Sequence, residues 1–293
     1  MTLHDGEFRV DDALVAGLVA SQMPEWTGLP LRRIHTSGTV NAAYRLGDHM
    51  LVRLPRHARF RSGPLKESRW LPELARSVPL EVPEYLALGQ PTDDYPSPWS
   101  VLRWIDGEDA TPSALSHLNT TAQRLGEFVV ALRHVDTDGA PDESGRGKGL
   151  LPAHDRFLDY LGRFNNERER DKILRVWETS RASPVWRGSP TWFHGDLHSG
   201  NLLARDGSLI AVLDWEGCGV GDPASDLIAA WWLFDVDSRQ AFRDAIQPDE
   251  AQWVRGMGWA LYMAVAAIPY YSDSNPVFAS MARLALDRIL TET

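Results

Sequence analysis

The sequence is poor in the features that mark special classes of protein. It has one cysteine in 293 residues, Cys218. A lone thiol forms no internal disulfide, which excludes a disulfide-stapled scaffold and makes a reducing cytoplasm the expected compartment. The first residues, MTLHDGEF, are polar and acidic and form no apolar signal segment. No apolar run reaches the roughly 20 residues that a membrane helix needs. The longest nearly unbroken one, Trp259 to Tyr271, has 13 residues and contains Pro269, so it reads as a buried helix. Basic charge is also scarce, with 30 Lys+Arg against 40 Asp+Glu and a formal net charge of -10. That balance argues against a nucleic-acid surface and against a polybasic membrane footprint. There is no internal repeat and no low-complexity tract.

What is present is globular. Apolar residues are 43 % and charged residues 24 %, and 12 Trp, 9 Phe and 7 Tyr rule out disorder as the main state. The length suits one large domain or two of usual size, with ample core. The charge is uneven. Residues 1–104 hold 12 Lys+Arg and 12 Asp+Glu, so the remaining 18 and 28 place the whole acid excess in residues 105–293.

The first third has strand character. Leu31–Thr36, Asn41–Leu46 and His49–Leu54 read as strands, the last two joined by the two-residue turn Gly47-Asp48. A short helix is expected around Lys66–Ala75, kinked or restarted at Pro72. An extended stretch begins at Val82, and Trp99–Ile105 is β-rich and ends at the turn signal Asp106-Gly107. The composition shifts near residue 105, which sets the expected boundary between 1–104 and 105–293. Beyond it, Leu115, Leu118, Ala122, Leu125, Val129 and Leu132 form one apolar helix face within 113–134. The turn-rich segment 136–149 reads as an exposed polar loop, and helical patterns resume at Phe157–Phe164 and Lys172–Trp177. Three later helix starts are signalled by Asp222-Pro223, Pro248-Asp249-Glu250 and Asn275-Pro276. A small β-rich part followed by a larger, mainly helical part is an α+β arrangement.

The chemistry is concentrated in Thr191–Leu227. Its middle is a hairpin in which Leu202–Arg205 and Ser208–Leu213 flank the turn Asp206-Gly207. Counting outward from that turn, Arg205 faces Ser208, Ala204 faces Leu209 and Asn201 faces Val212. Asp214, two residues further on, then shares a face with Asn201. An amide oxygen and a carboxylate meet at the open end, and both are hard ligands of the kind Mg²⁺ accepts beside water and phosphate oxygens. Asp196 lies just upstream in a glycine-flanked loop, within reach of a substrate beside such a metal.

His194-Gly195-Asp196-Leu197-His198-Ser199-Gly200-Asn201, then Val212-Leu213-Asp214-Trp215-Glu216 and Gly221-Asp222-Pro223-Ala224-Ser225-Asp226-Leu227, resembles the aminoglycoside phosphotransferase family. This is the small-molecule branch of the two-lobed protein-kinase-like fold. The match is specific over about 191–230 and weaker, in the right order, from about 31 to 110. The resemblance implies that Asp196 orients or deprotonates the substrate hydroxyl. It implies that Asn201 and Asp214 hold Mg²⁺ on the phosphates of ATP or GTP. His194 is then a structural residue of the loop, His198 lies near substrate or is merely exposed, Asp226 buttresses the loop and Asp222 caps a helix. In the N-terminal lobe, Ser37, Gly38 and Asn41 fall in the phosphate-covering loop. Arg53 stands where protein kinases have lysine, with Glu67 as its partner and Arg56 as its rival. Trp104 and Ile105 fall where the adenine meets the backbone. The expected acceptor is a small-molecule hydroxyl, weakly favoured to be cationic by the acid excess. An aminoglycoside or related antibiotic leads, with a macrolide or another metabolite as alternatives.

Two other classes compete. His194-x-Asp196-x-His198 has the look of a metal-ligand cluster, as in a metal hydrolase. That reading leaves Asn201 and Asp214 unexplained. A non-catalytic kinase-shaped binding module is the other, although Asp196, Asn201 and Asp214 are all retained. A protein kinase is disfavoured, because Asp214 and Asp226 are only 12 positions apart.

Overall fold

The computed structural model describes residues 6–34, 40–141 and 145–292. The chain divides into two compact units, Met1–Arg76 with Glu81–Asp106, and Ser77–Leu80 with Gly107–Thr293.

The first unit is a five-stranded antiparallel sheet with two helices. Its strands are β1 (Leu31–Ile34), β2 (Asn41–Leu46), β3 (Met50–Pro55), β4 (Tyr85–Gly89) and β5 (Trp99–Arg103), in the order β1-β2-β3-β5-β4. Helix α1 (Asp12–Gln22) starts where the Asp11 carboxylate accepts the Leu14 N–H at 3.0 Å. Its Val15, Leu18 and Val19 bury against Tyr44, Leu46, Val52, Leu54, Tyr95, Trp99 and Val101. The β2–β3 loop is one residue longer than expected. Leu46 pairs with Met50, and Gly47 at φ +57° opens a three-residue connection. Helix α2 (Gly63–Leu74) begins three residues before the expected start and runs through Pro72. A proline two residues from the helix end interrupts only the last turn, so no second helix is needed.

The second unit is helical around short strands. In chain order they are β6 (Glu108–Asp109), α3 (Leu118–Arg133), α4 (His154–Leu161), α5 (Glu167–Ala182), β7 (Thr191–Phe193), β8 (Leu202–Arg205), β9 (Ser208–Val212) and β10 (Gly219–Gly221). Then come α6 (Ala229–Trp232), α7 (Val236–Ile246), α8 (Glu250–Tyr271) and α9 (Pro276–Glu292). The α3 start is later than its apolar periodicity suggests. Leu115 is buried in the turn before the helix, so it belongs to the core without belonging to the helix. The buried aromatic centre stacks Phe157 of α4 on Trp177 of α5, with ring centroids 4.0 Å apart. The 13-residue apolar run lies in α8, which packs against α4, α5 and α9. No described helix is long and apolar enough to cross a membrane.

Candidate active site

Two pairings assemble the site in the second unit. β7 delivers the chain into His194, and β10 returns antiparallel to it, with Gly219 opposite Phe193. Between them β8 and β9 form the hairpin, turned at Asp206 (φ +51°) and Gly207 (φ +75°). Both central residues in the left-handed region make the turn whose twist suits a two-residue hairpin.

The hairpin register differs from simple counting. Arg205 faces Ser208 and Ala204 faces Leu209, as expected, but Leu203 then faces Ala211 and Leu202 faces Val212. Ile210 is the extra residue of a bulge, which shifts the outer half by one. Asn201 is therefore opposite Leu213, whose N–H donates to the Asn201 carbonyl at 2.8 Å. Strand alternation alone no longer places Asp214 on the Asn201 face. Asp214 instead leaves the strand at φ +57°, a left-handed conformation that aspartate tolerates better than most residues.

Leu213 ties the motif together. Its N–H goes to Asn201, and its carbonyl accepts from His194 Nε2 at 2.9 Å. The backbone entering Asp214 is thus held between the two ends of the His194–Asn201 loop. Nδ1 of His194 accepts the Asp196 N–H at 3.2 Å, so Nε2 carries the ring proton. Burial lowers the pKa of His194, against the opposing pull of Asp226 and Asp196, and keeps the ring neutral. Both ring nitrogens of His194 are thus committed to backbone groups, one within the loop and one on Leu213.

Asp226 is fully buried beneath the loop. Its carboxylate accepts the His194 N–H at 3.0 Å and the Gly195 N–H at 2.7 Å, both on Oδ1. Burial raises its pKa and outweighs these bonds. Gly195 sits at φ +82°, and an added Cβ would lie 3.2 Å from the Phe193 ring, so the loop requires glycine there. Asp222 accepts the Ala224 N–H at 3.0 Å and caps a 3₁₀ turn, Pro223–Ile228, rather than an α-helix.

Asp196 is held from two sides. Asn201 Nδ2 donates to its Oδ2 at 3.1 Å and to its carbonyl at 3.0 Å. Arg146 donates to its Oδ1 at 2.9 Å and also to the Gly195 carbonyl. Burial pushes the carboxyl up, but Arg146 first, then His198, hold it far below the usual carboxylate range. It is an ionised hydrogen-bond acceptor and a weak base. Arg146 lies in the segment expected to be an exposed polar loop. The turn Gly145–Lys148 is folded back instead, with Gly147 buried. The signal in the sequence was a glycine-spaced arginine, too common a pattern to place 50 residues away.

His198 is buried, not exposed. Its ring lies 5.1 Å from Phe278 and 5.8 Å from Trp232, with Nε2 3.7 Å from Asp196 Oδ2.

The residues present suit Mg²⁺. Because Asn201 spends its amide nitrogen on Asp196, its amide oxygen is left for a cation, and Asp214 adds a carboxylate. Two hard oxygen ligands completed by phosphates and water are a usual Mg²⁺ set. Among the described residues, no group of three or more His, Cys, Asp or Glu is placed to hold a metal.

In the first unit, Arg53 and Glu67 form a buried ion pair at 2.7 Å, and the Tyr85 hydroxyl donates to the same Glu67 oxygen at 2.8 Å. Burial, then the Glu67 charge, pushes the Tyr85 phenol well above its ordinary value. Arg56 instead donates to the Asn41 carbonyl at 3.1 Å and faces Glu7. Trp104 is half-buried, with Arg45 4.4 Å over its ring, its backbone N–H on the His49 carbonyl at 2.8 Å and its indole N–H on Asp106 Oδ1 at 2.6 Å; Ile105 is half-buried beside it. Ser37 and Gly38 lie outside the described residues.

Known proteins match this chain in family and fold. No curated protein sequence matches it significantly. Among solved structures, the GDP and kanamycin complex of APH(2")-IIia superposes with a TM-score of 0.78 at 17% identity, covering 96% of this chain and 100% of that one. The GDP complex of wild-type aminoglycoside 2'-phosphotransferase-IIIa gives 0.73 at 17%, covering 97% and 99%. A thermostable mutant of aminoglycoside phosphotransferase APH(4)-Ia, with AMP-PNP and hygromycin B, gives 0.65 at 17%, covering 94% and 97%. The small antiparallel sheet and the helical unit are those of this kinase-like fold. Residues 32–259 match the phosphotransferase enzyme family, APH, and the chain belongs to that family of small-molecule kinases.

Proposed function

We propose that the chain transfers the γ-phosphoryl group of ATP or GTP to a hydroxyl of a small molecule, an aminoglycoside or related antibiotic. The observation that carries this reading is the Asp196 carboxylate, fixed by Asn201 at 3.1 Å beside the backbone that leads into Asp214. Asn201 and Asp214 would hold Mg²⁺, which when bound neutralises charge on the nucleotide phosphates. Arg53, steadied by Glu67, would hold phosphate from the first unit, residues 1–104 serving as the nucleotide clamp. Ser37, Gly38 and Asn41 would cover the phosphates, and Trp104 and Ile105 would meet the base.

Asp196 accepts a hydrogen bond from the acceptor hydroxyl and aligns its oxygen on the γ-phosphorus. The new oxygen–phosphorus bond forms as the bond to the β,γ-bridging oxygen breaks. The hydroxyl proton passes to Asp196 late, as befits a weak base, and the nucleoside diphosphate leaves.

Support for a cationic acceptor comes from the acid excess of residues 105–293 and from the kanamycin and hygromycin B bound by the solved relatives. A second reading is an acceptor with a bulkier ring system. It is favoured by the aromatic series from His198 through Phe278 and Tyr271 to exposed Tyr270, with successive rings 5.1, 5.3 and 4.7 Å apart. Mass spectrometry of aminoglycosides, macrolides and amino sugars incubated with protein, Mg²⁺ and ATP or GTP tests both. An aminoglycoside gaining one phosphate supports the first reading, and phosphorylation only of macrolides overturns it in favour of the second.

A further inference from the structure

Arg146 is placed on Asp196 by a rigid support. The carbonyl of Gly147, the next residue, accepts the Asp222 N–H at 3.0 Å. The Asp222 carboxylate in turn pairs with Arg255 at 2.7 Å, both side chains being about 5 % exposed or less. The guanidinium reaches from this perch over Gly195, whose added Cβ would come 3.6 Å from the Arg146 Cδ. One terminal nitrogen then serves both the Gly195 carbonyl and Asp196 Oδ1.

The consequence is geometric and electrostatic. Asn201 fixes one carboxylate oxygen and Arg146 the other, from segments 5 and 50 residues away. Two fixed donors define the plane of the carboxylate, which a single hydrogen bond leaves free to rotate. Each oxygen keeps a lone pair for a hydroxyl. The guanidinium also neutralises a carboxylate that would otherwise repel an anionic triphosphate.

We propose that Arg146 is the positioning residue of the transfer step, fixing the Asp196 carboxylate and cancelling its charge as the phosphoryl donor arrives. The proposal rests on Asp196 being the group that orients the acceptor. Its role is distinct from phosphate or metal binding, because Arg146 acts through Asp196.

The test compares wild type, Asp196→Asn, Arg146→Lys and Arg146→Ala in nucleotide turnover, with an aminoglycoside panel as acceptor and with water alone. Nucleotide affinity by calorimetry and melting temperature are measured alongside, and added guanidinium is tried as a rescue. Arg146→Ala is expected to lose about 10²-fold in kcat, the usual scale for a misplaced catalytic group. Its melting temperature should stay near wild type, its nucleotide affinity should weaken far less than kcat, through the uncovered Asp196 charge alone, and guanidinium should restore part of the rate. Arg146→Lys should fall between, since an ammonium keeps the charge and can donate in place of the one nitrogen used, but on a flexible, more strongly hydrated stem. If Asp196→Asn is inactive while Arg146→Ala turns over like wild type, the proposal fails and the kinase reading stands. If Arg146→Ala loses folding and nucleotide binding together and guanidinium restores nothing, the role is structural and the proposal also fails. If turnover does not depend on Asp196 at all, the functional reading itself fails.

Discussion

Asp226→Ala removes the carboxylate beneath the His194–Asp196 loop, and the cost follows from what it leaves behind. The buried N–H groups of His194 and Gly195 lose their acceptor, at 3.0 and 2.7 Å. An orphaned buried donor costs about 1–3 kcal/mol, so the pair amounts to about 4 kcal/mol. Half-buried Arg133, which the Asp226 charge favours, loses that support as well. For a unit of this size about 4 kcal/mol corresponds to a drop of about 8–16 °C in Tm. Asp226→Asn should lose less, because the amide retains one oxygen for the two bonds on Oδ1 and gives up only the longer 3.2 Å contact of the His194 N–H to Oδ2. Urea unfolding at pH 7, followed by circular dichroism, measures all three proteins. A loss below about 0.5 kcal/mol in Asp226→Ala, within the range of ordinary surface changes, would refute the reasoning.

Other perturbations report on separate parts of the account. Asp214→Ala should abolish the Mg²⁺ dependence of nucleotide binding in calorimetry; a retained dependence rules Asp214 out as a ligand. Glu67→Ala removes the carboxylate shared by Arg53 and Tyr85 and should cost about 3–5 kcal/mol, as for a broken buried pair, together with weaker nucleotide binding. Asp235 caps α7 through the Ser238 N–H at 3.0 Å, so Asp235→Ala should cost about 1 kcal/mol at pH 7. The Ser238 hydroxyl and N–H bonds lower the folded pKa of Asp235 below its unfolded value. The stabilisation is therefore present above the ordinary carboxylate range and lost as pH falls through the folded pKa. The two melting curves should converge toward acid, and a gap that widens there contradicts the cap.

Local rules made much of this legible. The Asp206-Gly207 turn, the Asp222 cap and the apolar face of α3 depend on near neighbours, and each was readable from spacing. The bulge at Ile210 was not, because an alternating apolar strand carries no mark of an extra residue. Its effect was to move Asn201 from Val212 to Leu213 and to leave the direction of Asp214 to a left-handed backbone. Helix α1 is not legible in the sequence because the region around it reads as mixed, with short strands. The place of Arg146 is hidden for a different reason. A polar, glycine-rich segment looks exposed unless its distant partner is known, and its partners lie near residues 195 and 222. The Arg53–Glu67 pairing was an expectation from resemblance, and the 14 positions between them admit many other geometries.

The central claim is that Asp196 orients the acceptor hydroxyl for phosphoryl transfer. Single-turnover phosphate transfer by wild type and Asp196→Ala, at saturating nucleotide and Mg²⁺, tests it most directly. A rate lower by about 10²–10⁴-fold, with nucleotide affinity largely retained, is the predicted result. Transfer by Asp196→Ala at the wild-type rate would contradict the account.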